Sequence, residues 1–157
     1  MLIQEYFSDL VSGFGCTDAS KCKVALYTHL KKYVVAKDNG EANANTNGNT
    51  IGKSEIFSVT FIGKDKVQFK GHHGKYLVAE LNGRVNANRG VPGAWETWTV
   101  EIKSNWPWQF AFKSAHGKYL VAELNGELNA NRNVALDLET FRVVTCPAWV
   151  LGPEICK

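Results

Sequence analysis

The chain has 157 residues and a mass of 17.4 kDa, with 45% apolar and 21% charged side chains. A length of this order gives one domain with a real core, burying roughly two-thirds of its unfolded surface, and leaves no room for two ordinary domains. The net charge of +3 disfavours a strongly basic nucleic-acid-binding protein, and no apolar run approaches the ~20 residues that cross a bilayer.

The first residues, MLIQEYFSDL, carry acids and no basic stretch, so they do not read as a secretory signal. A mature form that has already lost its signal is the alternative. Within residues 1–12, Ile3, Phe7, Leu10 and Val11 fall near helical spacing, with Gly13 and Gly15 as stops. This predicts a short helix docked on the body of the fold. The helix contains no Lys or Arg to meet anionic lipid, which argues against a membrane anchor. Residues 1–23 are therefore read as an N-terminal appendage and 24–157 as the main domain.

The main domain is a repeat. KYVVAKDNGEANANT at 32–46 is followed by KYLVAELNGRVNANR at 75–89 and KYLVAELNGELNANR at 118–132, and Tyr33, Tyr76 and Tyr119 are spaced by 43 residues. Seven residues before each tyrosine stands Leu26, Phe69 or Phe112. After each Asn-Ala-Asn stretch a Glu opens a short run: Glu55–Val59, Glu96–Val100 and Glu139–Val143. The units are about 24–66, 67–109 and 110–144, followed by a C-terminal tail whose Trp149, Val150 and Leu151 are expected to pack.

Each unit reads as four strands, which in the second unit are Val67–Lys70, Tyr76–Glu80, Arg84–Asn88 and Glu96–Glu101. Asn-Gly at 39–40, 82–83 and 125–126 marks the hairpin between the second and third, because both residues tolerate positive φ. Three four-stranded units predict an all-β chain folded as a β-trefoil with pseudo-threefold symmetry. A propeller normally uses more blades than three. The triplets Leu26/Phe69/Phe112, Tyr33/Tyr76/Tyr119 and Phe57/Trp98/Phe141 are expected to fill the centre.

At these residues the chain resembles a known family. Gly74–Glu80, followed by Asn86-Ala87-Asn88 and Glu96–Val100, is similar to the repeat of fascin-like β-trefoils of the fascin and hisactophilin type. Gly117–Glu123 repeats the signature, Lys32–Lys37 is a degraded copy, and the resemblance covers roughly 24–144. It implies a non-catalytic, cytoplasmic, cytoskeleton-associated module that binds or crosslinks F-actin.

All four histidines lie in the turn before the repeated tyrosine. His29 with Lys31 and Lys32, His72 and His73 with Lys75, and His116 with Lys118 make three candidate basic patches for an acidic protein or an anionic membrane surface. Solvated histidines gain charge below about pH 6.5, so such patches strengthen in acid. A second reading is lectin-like. Asn43, Asn45, Asn86, Asn88, Asn129 and Asn131, with Arg89 and Arg132, offer donors and acceptors to sugar hydroxyls at up to three equivalent sites. The symmetry-related Glu80, Glu123, Glu96 and Glu139 do not converge on one cleft, and no catalytic, cofactor or metal motif is present, so neither an enzyme nor a cofactor is expected.

Cys16, Cys22, Cys146 and Cys156 lie outside the repeats. Reduced cytosolic thiols are the favoured reading. Disulfides within or between the ends, in a secreted signalling or scaffold trefoil, are the alternative.

Overall fold

The structure, a computed structural model, describes residues 10–47, 51–146, 151–152 and 155–156. The first unit forms β1 (Lys23–Thr28), β2 (Lys32–Ala36), β3 (Ala42–Asn47) and β4 (Phe57–Ile62). The second forms β5 (Lys66–Gly71), β6 (Tyr76–Ala79), β7 (Val85–Arg89) and β8 (Trp98–Asn105). The third forms β9 (Trp108–Lys113), β10 (Tyr119–Ala122), β11 (Leu128–Arg132) and β12 (Phe141–Thr145). Every pairing is antiparallel. The ladders β1–β4, β4–β5, β5–β8, β8–β9, β9–β12 and β12–β1 close a six-stranded barrel, which leaves none of these strands at an edge. The hairpins β2–β3, β6–β7 and β10–β11 gather over one end of it. The architecture is a β-trefoil.

Two of the expected triplets fill the barrel. Leu26, Phe69, Phe112, Phe57, Trp98 and Phe141 are all fully buried, each contributing about 1.5–3 kcal/mol by leaving water. The tyrosines depart from expectation, because the core positions of the second strand belong to Val34, Leu77 and Leu120 instead. Tyr33 and Tyr76 are half-buried outside the barrel, where a phenol keeps a polar outlet. Tyr33 rests on Tyr27 with ring centroids 4.9 Å apart, and Tyr119 donates its hydroxyl hydrogen to Glu101 Oε2 at 2.6 Å.

The Asn-Gly turns close the other end into a ring. Asn39, Asn82 and Asn125 each accept, at 3.0 Å, the backbone N–H two residues on. The carbonyl of the following glycine then accepts an N–H from the next unit: Ala87 to Gly40 at 2.8 Å, Ala130 to Gly83 at 2.7 Å and Ala44 to Gly126 at 2.7 Å. Each hairpin is thereby pinned to its neighbour. The repeated Asn-Gly and Asn-Ala-Asn motifs are the two halves of that contact.

The glutamates expected to open the fourth strand stand one step earlier, in short 3-10 turns: Lys53–Glu55, Ala94–Glu96 and Asp137–Glu139. Glu55, Glu96 and Glu139 are buried, and each accepts the N–H of the residue capping its own turn, Gly52, Gly93 or Leu136, at 2.6–2.7 Å. A carboxylate that ends its turn in this way cannot also lie in a strand ladder.

Of the expected N-terminal helix, residues 10–13 are helical, and Ile3 and Phe7 lie outside the described residues. Leu10 and Phe14 are buried in the barrel core. Phe14 touches Phe61, Phe110 and Phe112, so the segment plugs the end of the barrel opposite the hairpins. In the tail, Trp149 and Val150 lie outside the described residues, and Leu151 is half-buried.

The expectation of reduced thiols is corrected. Cys16 is bonded to Cys22 and Cys146 to Cys156, with Cα separations of 5.5 and 5.6 Å that suit a disulfide. Each bridge joins cysteines of one end, six and ten residues apart in sequence.

Candidate functional site

The three turns that carry the histidines share one backbone. Gly74 and Gly117 take left-handed φ values of 85° and 79°, and the first unit holds Lys31 at the same place with φ 62°. A lysine accepts a conformation made for glycine there, and its side chain is exposed to solvent. The next residue is Lys32, Lys75 or Lys118. Lys32 and Lys118 bond the side chains of Asn47 and Asn133 across their hairpins, and Lys75 is exposed beside Gly90.

Each turn stands against the preceding unit. His72 Nε2 lies 3.1 Å from Asp38 and 3.5 Å from Ser54 Oγ, both in the first unit. His116 packs edge-on against Trp95 of the second unit, with centroids 4.9 Å apart. His29 closes the cycle, 3.9 Å from Asp137 of the third unit. The histidines therefore mark three seams between units.

The seams are equivalent in place but not in chemistry. His116 Nε2–H donates to Ala79 O of the neighbouring unit at 2.8 Å, whereas His73 Nε2–H donates to Ala87 O of its own unit at 2.8 Å. Gly71 explains the difference. A Cβ at Gly71 would fall 2.8 Å from the His73 ring, and the third unit has Ser114 there, whose Oγ accepts the His116 N–H at 3.2 Å. His73 is half-buried, and its Nδ1 has no partner among the described residues.

The asparagines of the lectin-like reading split into two sets. Asn43, Asn86 and Asn129, with Glu41, Arg84 and Glu127, line a polar hollow where the three hairpins meet. Asn86 and Asn129 spend their amide hydrogens on Glu80 and Glu123 at 3.0 Å, and Asn43 Oδ1 accepts the Asn45 N–H at 3.2 Å. Asn45, Asn88 and Asn131 lie over Gly126, Gly40 and Gly83 of the preceding hairpin. Arg89 and Arg132 are held by Glu80 and Glu123 at 2.7 and 2.6 Å and by Asn88 and Asn131 at 2.6 and 2.5 Å. These amides and guanidinium groups brace the hairpins.

A cationic face escaped the sequence reading. At the seam between the first and second units, Lys21, Lys23, Lys53, Lys70 and His72 line two adjoining hollows that share Lys23, Ser58 and His72. Only His72 belongs to the repeated turn. Lys23 and Lys70 occupy non-core positions on β1 and β5, a signal present in the strand alternation but easily read as ordinary solvation. In the neighbouring seam Glu101 binds Tyr119, and this hydrogen bond pushes the Tyr119 phenol above its ordinary range. Burial pushes Tyr33 up likewise, with Tyr27 adding to it.

Among the described residues no helix is long and apolar enough to cross a membrane, and no cluster of side chains suits a metal ion. A search of curated proteins finds no match. A family model described as Fascin domain matches residues 30–143, which spans β2 to β12 and all three hairpins.

Proposed function

The chain belongs to the fascin-domain family, and on that premise we propose that it is a non-catalytic binding module for the acidic surface of actin filaments. The observation that carries this reading is the threefold recurrence of one basic turn. Lys31 and Lys32, Lys75 and Lys118 stand with His29 and His72 around the pseudo-axis, and His73 and His116, each bonded to a backbone carbonyl, shape the second and third turns. Three contacts facing different directions let one trefoil touch two filaments without dimerising, and their combined avidity exceeds that of any one turn. The module works at the cytoskeleton in the cytoplasm.

The test is sedimentation with filamentous actin, at high speed for binding and at low speed for crosslinking. Replacing Lys75 and Lys118 together by Gln should weaken binding at least tenfold while circular dichroism stays native. Unchanged pelleting by the double variant would remove the turns from the contact.

The two disulfides favour a second reading, an extracellular scaffold trefoil, because such bonds persist chiefly in oxidising compartments. Its signature would be absence of filament binding together with fully oxidised cysteines in the native protein.

A further inference from the structure

The three seams give an internal comparison, because equivalent strand positions carry different side chains. Outside the barrel, the second seam holds Lys66, Thr99, Glu101, Lys113 and Tyr119, and the first holds Lys23, Ser58, Thr60, Lys70 and Tyr76 in the same places. Lys113 and Lys70 sit over the faces of Tyr119 and Tyr76, at 5.5 and 6.0 Å from the ring centroids. Two residues carry the difference: Glu101 and Asp65 in the second seam, the latter 3.8 Å from Lys66 Nζ, stand where the first has Thr60 and Cys22. Glu101 places a carboxylate beside Tyr119 and offsets the lysines there. Thr60 has no charge.

The first seam adds cations as well. Lys21 comes from the appendage and Lys53 from the 3-10 turn, and they join Lys23, Lys70 and His72 around an open hollow of about 590 Å³ and its smaller neighbour. No described carboxylate lines either hollow. Asp38 meets His72 from the side and is largely exposed, and Asp18 is held by Ser20 N–H and Oγ–H at 2.9 and 2.7 Å. Lys23 Nζ donates to a backbone carbonyl, Ile155 O at 3.5 Å, and forms no ion pair with a carboxylate among the described residues. Ser58 and Thr60 add hydroxyl donors.

We propose that this seam binds a compact polyanion bearing several phosphate or sulfate ester groups. Lysines are point-charge donors suited to such oxygens, and several of them around one hollow favour a ligand whose anionic groups are clustered. The lining is hydroxyl-bearing and cationic, with Ile56 and Ile155 as apolar patches at one end. The seam uses lysines other than those of the filament-binding turns and shares only His72 with them.

Calorimetry with myo-inositol hexakisphosphate, myo-inositol hexasulfate and inorganic phosphate tests it. The hexakisphosphate should bind one to one, inorganic phosphate at least a hundredfold more weakly, and affinity should fall as salt is raised. The hexasulfate arm tells the sources apart: equal binding means that charge clustering suffices, and preference for one ester assigns the class. Lys23→Gln and Lys70→Gln should each weaken binding at least tenfold, and Lys113→Gln should leave it unchanged. Thr60→Glu, which transplants a carboxylate of the neighbouring seam to an exposed position, should abolish it with the melting temperature preserved. Absence of hexakisphosphate binding at low salt, an equal loss from Lys113→Gln, or native affinity in Thr60→Glu would each overturn the proposal.

Discussion

The ring of Phe14 stands edge-on to that of Phe110, with centroids 4.9 Å apart and planes at 78°. Phe14 is fully buried although it precedes the repeats, so the barrel is completed from outside its own symmetry. Phe14→Ala should cost about 3–5 kcal/mol in urea unfolding, in the range of a core aromatic deletion. A loss below about 1 kcal/mol would mean that the segment only rests on the barrel.

The ring of hairpins makes a distinction between two glycines of similar φ. Gly117 has φ 79° and open space where a Cβ would go, whereas Gly40 has φ 93° and would set its Cβ 2.9 Å from Asn88 Cβ. Gly117→Ala should cost roughly 1–2 kcal/mol for the left-handed backbone alone. Gly40→Ala should cost more, because Asn88 must move while Ala87 stays bonded to the Gly40 carbonyl. Equal losses would show that the hairpin contact is loose.

The bridges Cys16–Cys22 and Cys146–Cys156 make a prediction for mass and for heat. Native protein should gain four hydrogens on reduction. Loops of this size are worth roughly 2–3 kcal/mol each in the chain-entropy account, so the reduced protein should melt lower. Neither bridge lies in a strand, so the transition should remain single. An unchanged mass would mean that the thiols are free in solution.

Tyr119 carries the pH prediction. Its hydrogen bond to Glu101, with burial second, raises the phenol above the ordinary value near 10. A raised pKa in the folded state stabilises the protein fully below the unfolded value, and this contribution is lost as pH climbs through the folded value. In absorbance titration at 295 nm, native protein minus Tyr119→Phe should show one tyrosine ionising above the ordinary range. A difference curve at or below that range contradicts the hydrogen bond.

The sequence was legible where the repeat enforced one role three times. Asn-Gly with Asn-Ala-Asn announced the hairpins, and Phe69, Phe112, Trp98 and Phe141 announced the core. The tyrosine triplet misled because period-two alternation fixes which residues share a face but not which face meets the barrel. Glu96 misled because a side-chain cap looks like a strand start until the N–H it accepts is known. The cationic seam was hidden because Lys21, Lys23, Lys53 and Lys70 come from three separate stretches that only barrel closure brings together. Repetition exposes symmetric features, and this seam breaks the symmetry at Thr60.

Co-sedimentation of the native protein with filamentous actin at pH 7.5 and pH 6 tests the central claim most directly. The account predicts that the protein pellets with the filaments at both values. Protein that stays in the supernatant at both values would contradict it.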